Sequence, residues 1–382
     1  MRHNLKTATI VGYHGYSNLG DDIFLNVICR WLREHMHVDH CFVTAREGSI
    51  EQELSGVRLE PFIKPCRISR LQWISIFLKA RRSDFLIFSA GSIFTIQPFL
   101  LMYTVLRLLK LLKGKNLQIM AIGVSIGPFF SDHDKYWCAR SLELMDYVQV
   151  RDSQSSELLK KMNYYGHYLQ SYDLALSWKL PAIETSKKIP NLIAIAVTSR
   201  GFGFCGDEHS GLCETIFKAL DNTLEQNRDV TIKILSVCSD ELDGDEPISN
   251  HIRDRLAHWG DRIETVVYDG KNIDVMLDTI SECSLMISSR MHAGIMAILA
   301  SVPTYQISYA EKITNFFLHS GVSTDYLYQN DLVTLKSLSE FIDYGLAGDL
   351  TEIANCQRLI LEEKGRIVSA DLSKSAEYPN TN

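Results

Sequence analysis

Short apolar runs alternate with longer stretches of helical periodicity along most of the chain, and this rhythm limits the fold more than any other feature. The runs at 8–12, 40–44, 85–89, 118–123 and 147–150 read as strands. Helical patterns lie between them, near 21–35, 68–81, 98–113, 132–145 and 153–163. A strand followed by a helix, repeated, builds βα units and a parallel sheet covered on both faces. A second series follows, with strands at 192–197, 231–237, 263–267, 285–287 and 304–307. Its helices are expected near 209–227, 247–258, 272–280, 290–300 and 310–319. Between the two series lies a charged, polar stretch holding Pro181 and Pro190, which reads as a linker.

The expected fold class is therefore α/β, with two Rossmann-like doubly wound domains facing a cleft. Residues 1–180 form the first domain and 190–345 the second. The remainder, 346–382, reads as a helix at about 350–370 that packs back on the first domain, then a frayed tail. A length of 382 residues suits two domains of ordinary size.

Composition excludes several classes. With 46% hydrophobic and 22% charged residues the chain is globular, and a net charge of −7 without a long basic block argues against nucleic-acid binding. Nine cysteines without a Cys-x-x-Cys pair read as reduced thiols in a cytoplasmic protein. The N-terminus enters a strand with no signal-peptide apolar region before it. The apolar stretches 71–78 and 99–112 are too short, or too interrupted by Arg107 and Lys110, to span a membrane. The second reads as a core-facing helix, with contact at a membrane surface the alternative.

Candidate chemistry sits at strand ends, where open α/β sheets bind ligands. The loop Gly12-Tyr-His-Gly-Tyr-Ser-Asn-Leu-Gly-Asp-Asp22 joins the first strand to the first helix. Glycines there let a backbone come close to a ligand, and the helix start offers N–H groups. The glycine spacing matches neither a P-loop nor the dinucleotide fingerprint. A tight turn capped by Asp21 is the plainer reading; a ligand loop using His14, Asn18, Asp21 and Asp22 is the other. At the end of the 285–287 strand, Ser289-Arg-Met-His292 precedes an apolar helix. Arg290 there offers a planar fork for a carboxylate or phosphate, and His292 can exchange protons near neutral pH. Arg151, before Asp152 and the expected cap Ser153, and Lys312, after the 304–307 strand, are further candidate cations. No histidine pair has metal-ligand spacing, so no metal is expected. Ser125 and Ser289 lack a nucleophile-elbow context.

Taken in order, these pieces resemble the polysaccharide pyruvyl transferase family. The resemblance rests on Gly12–Asp22, Ala90-Gly-Ser92, Gly123-Val-Ser-Ile-Gly-Pro128, Val150-Arg-Asp-Ser153, Asp173-Leu-Ala175, Ser289–His292, Val302-Pro303 and Tyr309-Ala-Glu-Lys312. The chain departs from the family at Ser89-Ala90-Gly91, where a run of glycines is usual, and the segment 198–211 is individual. The resemblance implies a GT-B-like fold and transfer of the pyruvyl group of phosphoenolpyruvate to two hydroxyls of a sugar, giving a cyclic ketal and phosphate. It implies His292 and Arg290 as catalytic residues, with Arg151, Ser289 and Lys312 on the donor. Charge logic then leaves His14, Asn18, Asp21 and Asp22 to the acceptor. Phosphoenolpyruvate is a co-substrate, and no cofactor is expected. The acceptor is a sugar, an oligosaccharide or a lipid-linked glycan, and the last of these would bring peripheral contact at the inner membrane face. A GT-B glycosyltransferase using a nucleotide-sugar and a non-catalytic glycan-binding member of the fold remain as alternatives.

Overall fold

The computed structural model describes residues 6–62, 70–95, 97–178, 188–199, 211–240 and 244–376. The expected linker and the individual segment 198–211 fall largely outside these residues, as does the end of the tail. The chain divides into two units. The first comprises Met1–Tyr16, Asp21–Ser177 and Gly365–Asn382; the second comprises Ser17–Gly20 and Trp178–Lys364.

Apolar runs buried on both faces dictate the first sheet. Its strands are β1 (Lys6–Val11), β2 (Val38–Val43), β3 (Glu53–Leu54), β4 (Val57–Pro61), β5 (Phe85–Phe88), β6 (Gln118–Val124), β7 (Tyr147–Val150) and β8 (Leu169–Gln170). They lie in the order β3-β4-β2-β1-β5-β6-β7-β8. Every described pairing is parallel except that of β3 with β4. Each residue of β5 and β7 is buried. The helices are α1 (Leu19–Met36), α2 (Arg70–Ala80), α3 (Phe99–Lys113), α4 (Asp132–Leu142) and α5 (Ser153–Lys161). Trp73, Phe88, Phe94 and Phe99 are bulky members of one core that packs α2, α3, α4 and α5 against the sheet. The β3–β4 hairpin has no counterpart among the expected strands. It turns on Ser55 and Gly56, both with left-handed backbone, as a two-residue hairpin requires.

The second sheet contains β9 (Leu192–Ala196), β10 (Thr231–Ser236), β11 (Ile263–Val267), β12 (Leu285–Ser288), β13 (Thr304–Ser308) and β14 (Leu327–Gln329). Its order is β11-β10-β9-β12-β13-β14, all parallel. That is the doubly wound Rossmann order, with the switch point between β9 and β12. The first sheet follows the same order once its edge strands β3 and β8 are set aside. The helices of this unit are α6 (Gly211–Gln226), α7 (Glu246–Arg255), α8 (Ile273–Glu282), α9 (Met291–Leu299), α10 (Glu311–Ser320) and α11 (Leu335–Leu346). Tyr305 stacks on Tyr328 with ring centres 4.6 Å apart and meets Phe341 edge-on. These contacts anchor β14 and α11 to the sheet.

A long last helix, α12 (Thr351–Ser375), passes into the first unit at Gly365. There the Trp31 indole donates to the Leu372 carbonyl at 2.6 Å, and the Ser171 hydroxyl donates to Asp371 at 2.7 Å. A side chain at Gly365 would run into the Leu176 carbonyl. The seven described cysteines are in no disulfide, and six are buried. No described helix is long and apolar enough to cross a membrane.

Candidate functional site

In the second unit, the chain leaving β12 is pinned before it becomes α9. Ser288 donates through Oγ to the Arg290 carbonyl at 2.8 Å and accepts the Arg290 N–H at 3.1 Å. Ser289 accepts the Thr198 N–H at 2.9 Å, tying the ends of β12 and β9 together. Ser289 is fully buried, so its evident work is holding that corner. Arg290 is the extended residue that precedes α9.

The guanidinium of Arg290 has a partner that no sequence pattern marked. Its Nε and Nη2 donate to Oδ1 of Asp245 at 2.8 and 2.5 Å. The other oxygen of Asp245 accepts the N–H groups of Val237 and Cys238 at 3.2 and 3.1 Å. Asp245 is wholly buried, and burial pushes its carboxyl up to about 6 against the pull of Arg290 and those N–H groups. It is still ionised at neutral pH. For Arg290, burial works against the charge, but the Asp245 carboxylate outweighs it and the guanidinium stays firmly protonated. The pair is thus neutral overall, and at least two of the five N–H donors of Arg290 are already used. Asp245 lies past the end of β10, a strand end with no candidate on sequence grounds. Its position just before Glu246 and Pro247, at a helix start, is the signal that could have found it.

His292 sits in the first turn of α9, half-buried. Beside it lies Gly20, because Ser17–Gly20 belongs to this unit. The Leu19 N–H donates to the Val237 carbonyl at 3.0 Å, and the Ser239 N–H donates to the Ser17 carbonyl at 3.0 Å. A Cβ at Gly20 would overlap the His292 imidazole. The third glycine of the loop is therefore there to admit a histidine ring. Asn18 accepts the Gly20 N–H at 3.1 Å through its side chain. Helix α1 starts at Leu19, earlier than expected, so Asn18 occupies the capping place assigned to Asp21. Asp21 and Asp22 lie inside the first turn. Lys312 stands exposed in the first turn of α10.

The first unit has its own cluster at strand ends. His14 is completely buried, with Nδ1 3.1 Å from the Asp21 carbonyl. Burial lowers it to about 4, only partly countered by the carbonyls of Asp21 and Ser89, so it is neutral at physiological pH. Asp22 is buried and Asp21 half-buried. Arg151 donates to Ser125 Oγ and to Asp173 Oδ2, both at 2.8 Å. Ser125 in turn donates to Asp152 at 2.6 Å. Asp152, not Ser153, caps α5, accepting the Ser155 N–H at 2.7 Å. The Arg151 guanidinium covers Gly91, where any side chain would collide with it. Among the described residues, no group of His, Cys, Asp or Glu side chains is placed to hold a metal ion.

The profile of the polysaccharide pyruvyl transferase family matches residues 18–311, most of the chain. The chain belongs to this family of transferases. The match spans Asn18, Asp21, Asp22, Arg151, Asp245, Ser289, Arg290 and His292 and ends just short of Lys312.

Among curated proteins nothing matches the chain. Solved structures share its fold at low identity. One is from Listeria monocytogenes, described as a UDP-N-acetylglucosamine 2-epimerase, with a TM-score of 0.63, 12% identity, and 100% of this chain and 98% of that one covered. A glycosyltransferase from Rickettsia africae has a TM-score of 0.60 and 10% identity, with both chains covered in full. Anabaena Alr3699/HepE, solved with UDP-glucose, has a TM-score of 0.55 and 10% identity over 97% of this chain and 98% of that one. These likenesses make the fold of this family member GT-B-like, with two parallel-sheet, Rossmann-like units.

Proposed function

We propose that this protein transfers the pyruvyl group of phosphoenolpyruvate onto two hydroxyls of a sugar, forming a cyclic ketal and releasing phosphate. The observation that carries the reading is the second-unit corner: an arginine clamped by a buried carboxylate, with a histidine two residues on in the first turn of α9. Phosphoenolpyruvate carries a carboxylate and a phosphate, and a rigid guanidinium fork suits either. Because Asp245 neutralises Arg290 overall, the clamp supplies geometry more than net charge, and the N–H groups at the start of α9 add a positive field.

The chemistry balances as follows. His292 gives a proton to the methylene carbon, C3, which becomes a methyl group. C2 turns oxocarbenium-like, and one sugar hydroxyl bonds to it and releases its proton, which replaces the one that His292 gave to C3 and so restores the imidazolium. The C2–O bond to phosphate then breaks, the second hydroxyl closes the ketal, and its proton leaves with the phosphate. Arg290 steadies the charge on the donor as that bond breaks. Ser289 holds the corner, and Lys312 is a secondary donor contact in this reading, while Arg151, tied to Ser125 and Asp173, is a clamp within the first unit. Asn18, Asp21 and Asp22 offer amide and carboxylate oxygens to sugar hydroxyls, with the more accessible Asp21 the better base. His14, neutral and buried, suits a hydrogen bond rather than proton donation at pH 7.

The direct test is phosphate release from phosphoenolpyruvate with a panel of acceptor glycans, lipid-linked ones included. Acceptor-dependent release together with a ketal in the product supports the assignment. No release with any acceptor, alongside tight binding of UDP or a UDP-sugar, would favour a nucleotide-sugar reaction on the same fold.

A further inference from the structure

The first unit is electrically lopsided. Positions 61 to 131 hold ten lysines and arginines and one acid, Asp84. That stretch has nine surplus positive charges in a chain whose total is −7, so the other residues together carry −16. Helices α2 and α3 lie within it, and neither contains an acid.

The two helices pack against each other and share one core. Trp73 and Ile76 of α2, with Met102 and Leu106 of α3, face that core. The opposite sides ought to be polar on a surface helix, but they are apolar. Leu71, Ile74 and Leu78 are exposed along α2, with three- and four-residue spacing; Leu71 is 75% exposed. On α3, Leu108, Leu111 and Leu112 are exposed, and Leu111 is also 75% exposed. Arg81, Arg82 and Arg107 stand exposed among them. Lys79 and Lys110 are tied to Glu60 and Asp146, so part of the local charge is already answered. The expectation of a core-facing α3 thus accounts for only one side of that helix.

We propose that the α2–α3 face is a docking surface for an anionic lipid bilayer. Leucines between arginines match what such an interface offers, a shallow apolar layer beneath phosphate headgroups. A second copy of the chain is a poorer occupant, since a symmetric contact would set this positive face against itself. The charge complementarity therefore favours lipid over self-association.

The test is co-sedimentation of the full chain with vesicles of phosphatidylglycerol and phosphatidylcholine, against pure phosphatidylcholine. Binding is expected on the anionic vesicles only, and should weaken as salt rises. The double variant Arg81→Glu with Arg82→Glu should lower the partition coefficient roughly thirtyfold or more. Leu111→Ser with Leu112→Ser should lower it roughly tenfold. All four positions are exposed, so circular dichroism and phosphate release with a water-soluble acceptor should be unchanged. The proposal is overturned by no binding to anionic vesicles, or by binding that both double variants leave intact. It is equally overturned if the chain sediments as a dimer that the leucine variant dissociates while lipid binding is absent.

Discussion

Two arginines, Arg151 of the first unit and Arg290 of the second, share a common plan. Each follows a buried strand, each is almost wholly buried, and each pairs with a buried aspartate. Their surroundings differ. Arg151 is held by Ser125 and Asp173, lies over Gly91, and has a serine, Ser153, two residues on. Arg290 is held by the Asp245 carboxylate and has His292 two residues on. Burial and pairing make an arginine a structural clamp in either case. Under the proposed function, the imidazole of His292 is what sets the Arg290 corner apart. That distinction is already legible in the sequence, where Ser153 stands in the place that His292 takes.

The sharpest way to break this comparison is His292→Ala. Turnover should fall about two to four orders of magnitude, the usual worth of general-acid help, with circular dichroism unchanged; a loss within a few-fold would remove His292 as proton donor. Asp245→Asn should come next. Leaving Arg290 buried without its carboxylate should destabilise the second unit by about 3–5 kcal/mol, read from urea denaturation. Asp173→Asn should do similar damage in the first unit, but only Asp245→Asn should also raise the donor KM. Arg290→Ala should weaken donor binding by about 2–5 kcal/mol, seen as a higher KM for phosphoenolpyruvate. Should Arg151→Ala raise that KM as far, the two corners are not functionally distinct.

A smaller effect separates the histidines. His14 falls to about 4 in the folded chain, below its ordinary value of 6.5. The fold therefore favours its neutral form. Its contribution is fully present above pH 6.5 and is lost as pH drops toward 4, worth up to roughly 3 kcal/mol. Unfolding free energies across that window should slope less in His14→Asn. An identical slope in the variant assigns the acid sensitivity elsewhere. Smallest of all, Gly20→Ala should cost about tenfold in kcat, by displacing the His292 ring, with little change in donor KM.

Much of the architecture could be read from residue order. The runs that became β5 (Phe-Leu-Ile-Phe) and β9 (Leu-Ile-Ala-Ile-Ala) are apolar throughout because strands buried on both faces admit little else, and the other central strands carry enough apolar residues to be read as strands. Short edge elements were harder to see. The β3–β4 hairpin, β8 and β14 carry few apolar residues, and only pairing with a neighbour holds them in line. Helix starts shifted in the same way. Asn18 and Asp152 cap where Asp21 and Ser153 were expected, since a helix end is settled by which side-chain oxygen reaches an unbonded N–H.

Sequence by itself determined two parallel sheets, their βα order, and which strand ends carry Arg151, Arg290 and His292. These follow from hydrophobic periodicity and from residue types, both local properties. Only the tertiary structure decided that Asp245, forty-five residues before Arg290, clamps it. The same is true of Gly20 making room for His292, and of the leucines of α2 and α3 left facing out among arginines. Those facts depend on which distant segments meet and which face a helix turns outward. Long-range packing fixes both, and no local pattern encodes either one.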